Sequence, residues 1–267
     1  MKKIIAIFII SFLIISSIYA ETIRVITPYL GTIENDMSKT IEGSQNGLSL
    51  KDNSLLKGLY LQSINPGKYQ WNAFVYNSED LNYSSLWGTH FIFDYYPGAK
   101  EKSEYVIGAG IEFIRMETKT DKIVPFSNFE LSQDIYAPYL RAGKYFYFGE
   151  NKIKYSLMPW LGLETDIIRG DIDFTIPGMP MPVTDIDDDS YYAIAGMNFK
   201  VTFYHFIDLK LKYHGKIDLK ENDYFDIASS IINIYFNKSW GISYRAKYIK
   251  TADIKNTYHI GGIVYAF

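Results

Sequence analysis

Residues 191–204 read Tyr-Tyr-Ala-Ile-Ala-Gly-Met-Asn-Phe-Lys-Val-Thr-Phe-Tyr. The odd positions, Tyr191, Ala193, Ala195, Met197, Phe199, Val201 and Phe203, are all apolar, while the even ones include Gly196, Asn198, Lys200 and Thr202. A period of two puts these sets on opposite faces of an extended strand; a helix would repeat every three to four residues. The next segment does the same. Leu209, Leu211, Tyr213, Ile217 and Leu219 share one face, and Lys210, Lys212, His214, Lys216 and Asp218 the other.

Twelve such runs are readable, at 22–32, 54–64, 69–77, 86–96, 104–116, 135–148, 152–167, 191–204, 208–219, 224–236, 240–250 and 257–267. Many are longer than the five or six residues usual in globular strands and match the ~9–11 that a tilted strand needs to cross a bilayer. Their connections alternate in length. Starting with the second, every other link is short: Asn65 to Lys68, Pro97 to Ser103, Gly149 to Asn151, the vicinity of Phe206, and Asn237 to Ser239. The longest links, 33–53, 117–134 and 168–190, all fall in the other set. Short turns at one end, long loops at the other and an even strand number describe a closed antiparallel up-and-down transmembrane β-barrel. Twelve strands are expected. Pro28 interrupts the first run, so ten strands with an N-terminal plug or edge segment is the alternative.

The final run reads Tyr258-His259-Ile260-Gly261-Gly262-Ile263-Val264-Tyr265-Ala266-Phe267, with Ile263, Tyr265 and Phe267 on one face. This is similar to the C-terminal strand of bacterial outer-membrane β-barrels, in which a terminal aromatic with alternating hydrophobes behind it is recognised during assembly. The resemblance covers about ten residues and is to the class, not to a particular family; His259 and Gly261 depart from it in hydrophobicity. It implies a cell outer-membrane location, contact with the barrel-assembly machinery, and a surround of outer-membrane lipid and lipopolysaccharide. At the other end, Lys2 and Lys3, the apolar stretch 4–15 and the small-residue tail to Ala20 have the layout of a secretory signal peptide. The expected division is a signal peptide at 1–20 and the barrel at 21–267.

Composition agrees. The chain is 17% aromatic with 24 tyrosines, side chains that favour the membrane–water interface. It has no cysteine, hence no disulfide, thiolate metal site or lipidated cysteine. Losing Lys2 and Lys3 from the 27 Lys and Arg leaves 25 against 30 acidic residues, so no nucleic-acid partner is expected. Aromatics at Tyr69 and Trp71, 91–96, 145–148, 203–206, 235–240 and 265–267 lie near the short turns and read as an interfacial girdle.

If the apolar face meets lipid, the lumen is lined by Asp94, Glu112, Lys154, Glu164, Asp166, Asn198, Lys200, Lys210, Lys212, His214, Arg245 and Lys247. The bases concentrate on strands eight, nine and eleven and the acids on four, five and seven. Opposed arcs of charge would orient polar solutes and favour one ion sign; the bland alternative is that the charges pair and fill the lumen. Asp185, Asp187, Asp188 and Asp189 could hold a hard divalent cation, but they lack the Gly and terminal Glu of a calcium loop and read first as a solvated acidic tip. No cofactor is expected.

Catalytic signals are weak. None of His90, His205, His214 and His259 has a serine two residues away, the spacing that places a base and nucleophile on one strand face. Ser243 and His259 fall on neighbouring strands but on opposite inferred faces. Asn35-Asp36 is too short to be a motif, and Gly108-Ala-Gly110 has no helix after it. The leading expectation is therefore a porin-like small-solute channel with a charged lumen. Its rivals are a closed-lumen structural or surface-interaction barrel, a lipid hydrolase and a soluble periplasmic sandwich. A barrel should require detergent for extraction and shift its gel mobility on boiling; release in soluble form would refute it.

Overall fold

The computed structural model describes residues 23–39, 48–79, 84–98, 103–120, 128–149, 152–175, 184–221, 223–251 and 254–267. The expected signal peptide and the central parts of the three longest loops lie outside the described residues. Twelve strands follow in chain order: β1 Ile23–Lys39, β2 Leu48–Asn65, β3 Tyr69–Glu79, β4 Ser84–Tyr95, β5 Ser103–Thr120, β6 Asn128–Phe148, β7 Ile153–Thr175, β8 Thr184–Phe203, β9 Ile207–Asp218, β10 Tyr224–Tyr235, β11 Trp240–Lys250 and β12 Ile254–Ala266. Each pairs antiparallel with its chain neighbours, and β1 closes on β12.

The first run is a full wall strand, not a plug. β1 pairs without interruption to β2, whereas its ladder to β12 skips Thr27 and Pro28 between the pairs Ile26–Tyr265 and Tyr29–Gly262. Proline has no N–H to donate, and the wall accommodates it at this local break. At the lower end of the seam, Arg24 and Phe267 exchange reciprocal backbone hydrogen bonds, both 3.0 Å.

Strand ends on the short-turn side fall within about two residues of the sequence expectation. One tight link is a turn at Phe203–Phe206, where Tyr204 and His205 both adopt positive φ, 48° and 64°. Phe206 N–H donates to the Phe203 carbonyl at 2.9 Å. Left-handed backbone at both central positions is the turn whose twist matches a hairpin.

At the other end the strands run much further than expected. β6, β7 and β8 have 21, 23 and 20 residues, so all of 128–134, 168–175 and 184–190, expected as loop, is sheet. The reason lies in a reversal of polarity. Through the lower wall, Leu140, Leu161 and Leu163 face outward and are 64%, 68% and 61% exposed, a band that requires hydrocarbon around it. Higher up, the outward face becomes ionic: Arg115–Asp134 at 2.7 Å, Lys119–Glu130 at 3.1 Å and Arg169–Asp187 at 2.8 Å. By the same alternation, Met116, Leu131, Ile135, Ile168, Ile172 and Ile186 turn inward. The projecting sheet of β5–β8 is thus amphipathic in the sense of a water-soluble sheet.

The band boundary can be checked on this cysteine-free chain. In intact proteoliposomes, Leu161→Cys should resist a membrane-impermeant maleimide that labels Lys119→Cys readily. Equal labelling rates would remove the boundary.

Candidate functional site: the barrel lumen

Alternation and register decide which side chains face inward. Asp94, Glu112, Glu164, Asp166, Asn198, Lys200, Lys210, Lys212, His214, Arg245 and Lys247 all lie on the inward face. Lys154 shares that parity but is exposed at the lower rim beside the turn. The structure adds Arg141, Glu104 and Asp208, and keeps Lys216 and Asp218 on the face that alternation gives them. Arg141 is legible in the alternation Leu140-Arg141-Ala142, on the inward parity of β6.

The lumen has a charged side and an apolar side. Along β9 every inward position from Asp208 through Lys210, Lys212, His214 and Lys216 to Asp218 is ionisable. In contrast, β1, β2, β3 and β12 present no inward charge among the side chains described. There Tyr29, Ile33, Leu56, Tyr76 and Ile260 form a buried cluster flanked by Tyr60, Phe74 and Tyr258. A second cluster, Tyr96, Val106, Met158, Trp160, Tyr192 and Ile194, packs against the β4–β8 wall.

Some charges pair and others do not. Arg141 forks onto Asp94, with Nη2 at 2.8 and 2.7 Å from the two carboxylate oxygens and Nε at 3.1 Å, both side chains being less than 10% exposed. The ring of Trp160 lies 5.6 Å from that guanidinium. Gly108 makes the room, since a Cβ there would meet Asp94 Oδ1 at 2.3 Å, and Gly110 lies beneath the Tyr139 ring. Lys216 bonds Glu164, Lys200 pairs with Asp208 at 3.1 Å, and Tyr76 donates to Glu112 at 3.3 Å. Lys210, Lys212, Arg245 and Lys247 have no carboxylate partner among the described residues. Arg245 instead lies 3.8 Å from the Tyr60 ring centroid and 4.7 Å from that of Tyr29. Opposed arcs and local pairing therefore coexist.

The other sequence candidates are dispersed. Ser243 faces inward and hydrogen-bonds Tyr29 Oη at 2.7 Å, while His259 faces outward and its Nδ1 meets Tyr244 Oη at 2.6 Å. The wall divides them. Alternation also splits the acidic run: Asp187 and Asp189 face outward onto Arg169, and Asp188 falls on the other face. No three His, Cys, Asp or Glu converge as a metal site among the described residues.

No family model and no curated protein matches the sequence. Solved structures do match. The translocator domain of the autotransporter NalP from Neisseria meningitidis aligns with 100% of this chain and 96% of its own, at 11% identity and TM-score 0.63. The β domain of the Bordetella autotransporter BrkA aligns over 92% and 100%, at 8% identity and TM-score 0.52. The transport unit of the autotransporter AIDA-I from Escherichia coli aligns over 94% and 91%, at 9% identity and TM-score 0.51. The fold is that of an outer-membrane β-barrel.

On the outside of this outer-membrane barrel, the expected girdle forms from the outward half of the aromatic residues. Trp240 packs on Tyr265 at 4.6 Å between centroids, Tyr265 on Phe267 at 5.5 Å, and Tyr69 on Phe93 at 6.1 Å. Tyr96 and Tyr145 turn into the lumen cluster instead. Ile263, Tyr265 and Phe267 all face outward, and Arg24 sits over the Phe267 ring at 5.8 Å.

Removing one member of a buried ion pair strands the other charge, which costs about 3 kcal/mol or more. Asp94→Ala should lower unfolding stability in detergent by that order. The double change Asp94→Leu with Arg141→Met should recover most of it, measured by urea titration of tryptophan fluorescence.

Proposed function

We propose that the protein is a small-solute channel of the outer membrane with a charged lumen. The observation that carries this reading is the inward face of β9, ionisable at every position from Asp208 to Asp218. A charge inside a protein must be paired or hydrated. Lys200 and Lys216 have acidic partners, whereas Lys210 and Lys212 have none among the described residues, and in this reading water along this side of the lumen hydrates them. A continuous hydrated file is a path for ions and small polar solutes. The apolar cluster on β1–β3 and β12 narrows that path to one side of the barrel, and the inward apolar face of the projecting β5–β8 sheet forms its outer mouth.

The reading is of a conduit, not an enzyme. The neighbouring-strand pair Ser243 and His259 lies on opposite sides of the wall, and the outward aromatics and assembly-type strand serve contact with lipid and with the assembly machinery. A second reading, a closed-lumen barrel whose outer sheet binds partners, is favoured by one observation: the buried cluster around Tyr29, Leu56 and Tyr76 fills part of the interior.

Planar-bilayer recording separates the two. Folded, heat-modifiable protein should give discrete single-channel steps. Their absence from well-folded protein would overturn the channel reading and leave the closed barrel.

A further inference from the structure

We infer that the lumen holds an anion-binding site formed by Lys210, Lys212, Arg245 and Lys247, selective for small solutes carrying two or more carboxylate or phosphate groups. The inference rests on the channel reading only for its transport consequence; the site itself stands on geometry. In the register, Lys210 pairs with Ile231, which pairs with Arg245, and Lys212 pairs with Ser229, which pairs with Lys247. The four cations therefore occupy the corners of a rectangle on β9 and β11, with uncharged β10 between them. Strands lie about 4.8 Å apart and same-face neighbours on a strand about 7 Å apart, so the rectangle measures roughly 7 by 10 Å. That span suits a compact dianion or trianion better than a single chloride.

Nearby acids do not fill this role. Asp94 is forked onto Arg141, Glu164 bonds Lys216, and Asp208 takes Lys200 and the Thr202 hydroxyl at 2.6 Å. Glu112, on the opposite wall, accepts from Tyr76 and is attracted to Lys247 without a direct ion pair between them. Lys200 stands directly across from Lys210 in the β8–β9 ladder, and its charge is offset by Asp208. Arg245 Nε is buried and has no hydrogen-bond partner. Its guanidinium is fixed by the rings of Tyr29, Tyr60 and Phe74, which hold the cation in place without neutralising it. Between Lys212 and Lys247, the short side chain of Ser229 leaves space and offers a hydroxyl.

Citrate is the probe. Under a KCl gradient the reversal potential should show chloride preferred over potassium, and millimolar citrate should block the current. Lys212→Gln and Lys247→Gln should each weaken that block about tenfold, with heat-modifiability showing that both variants still fold. Cation preference in the wild type, or block unchanged in both variants, would overturn the site. Titration calorimetry of citrate with the detergent-folded barrel keeps the two readings apart. Binding that both substitutions weaken, without conductance, would uphold the site and reject the channel; conductance without citrate binding would do the reverse.

Discussion

Every backbone N–H and C=O in the wall must find a partner without help from water, because hydrocarbon offers none. A sheet meets that demand only by having no edge, and the β1–β12 seam is where this chain removes its edges. The reciprocal bonds between Arg24 and Phe267 begin the seam, and Tyr29 reaches past β12 to Ser243 on β11 to tie it from inside. Pro28, which cannot donate, sits where the ladder already skips a step. Once the ring is closed, alternation assigns each side chain to lipid or lumen, and the rest of the architecture follows.

The closed ring divides its contents unevenly. The strands at the seam turn aromatic and aliphatic side chains inward, so the join is packed from within as well as bonded along the wall. The strands opposite carry the charges. Segregation of this kind lets one barrel contain both an apolar cluster, which rigidifies the closure, and a flank of ionisable groups. Arg245 is the point of contact between the two halves: its charge belongs to the basic flank and its guanidinium rests on the rings of the apolar one.

Much of this was legible in the sequence, and what was missed shares one cause. Period-two alternation located twelve strands and their short-turn ends because most lipid-facing residues there are apolar over several turns of the pattern. It failed above the membrane, at 128–134, 168–175 and 184–190. There the faces exchange polarity: Arg169, Asp171 and Asp173 take over the outward positions held lower on β7 by Leu161 and Leu163. Polar outward residues next to turn-formers such as Pro177 read as loop, yet the backbone ladder simply continues. Lys57 and Asp226, which break the alternation, prove to be outward-facing, and Asp226 accepts from Tyr213 there.

The sequence by itself determined the class of fold, the strand count and the parity that sends a residue inward or outward. These are local properties, set by a side-chain period of two and by turn chemistry. Only the tertiary structure decided which charges meet and which are left open. Arg141 with Asp94 and Lys216 with Glu164 lie 47 and 52 residues apart in the chain, and the pairings depend on inter-strand register and on glycines that clear space between them. Register is a relation between strands, fixed when the ring closes, and no single strand's sequence contains it.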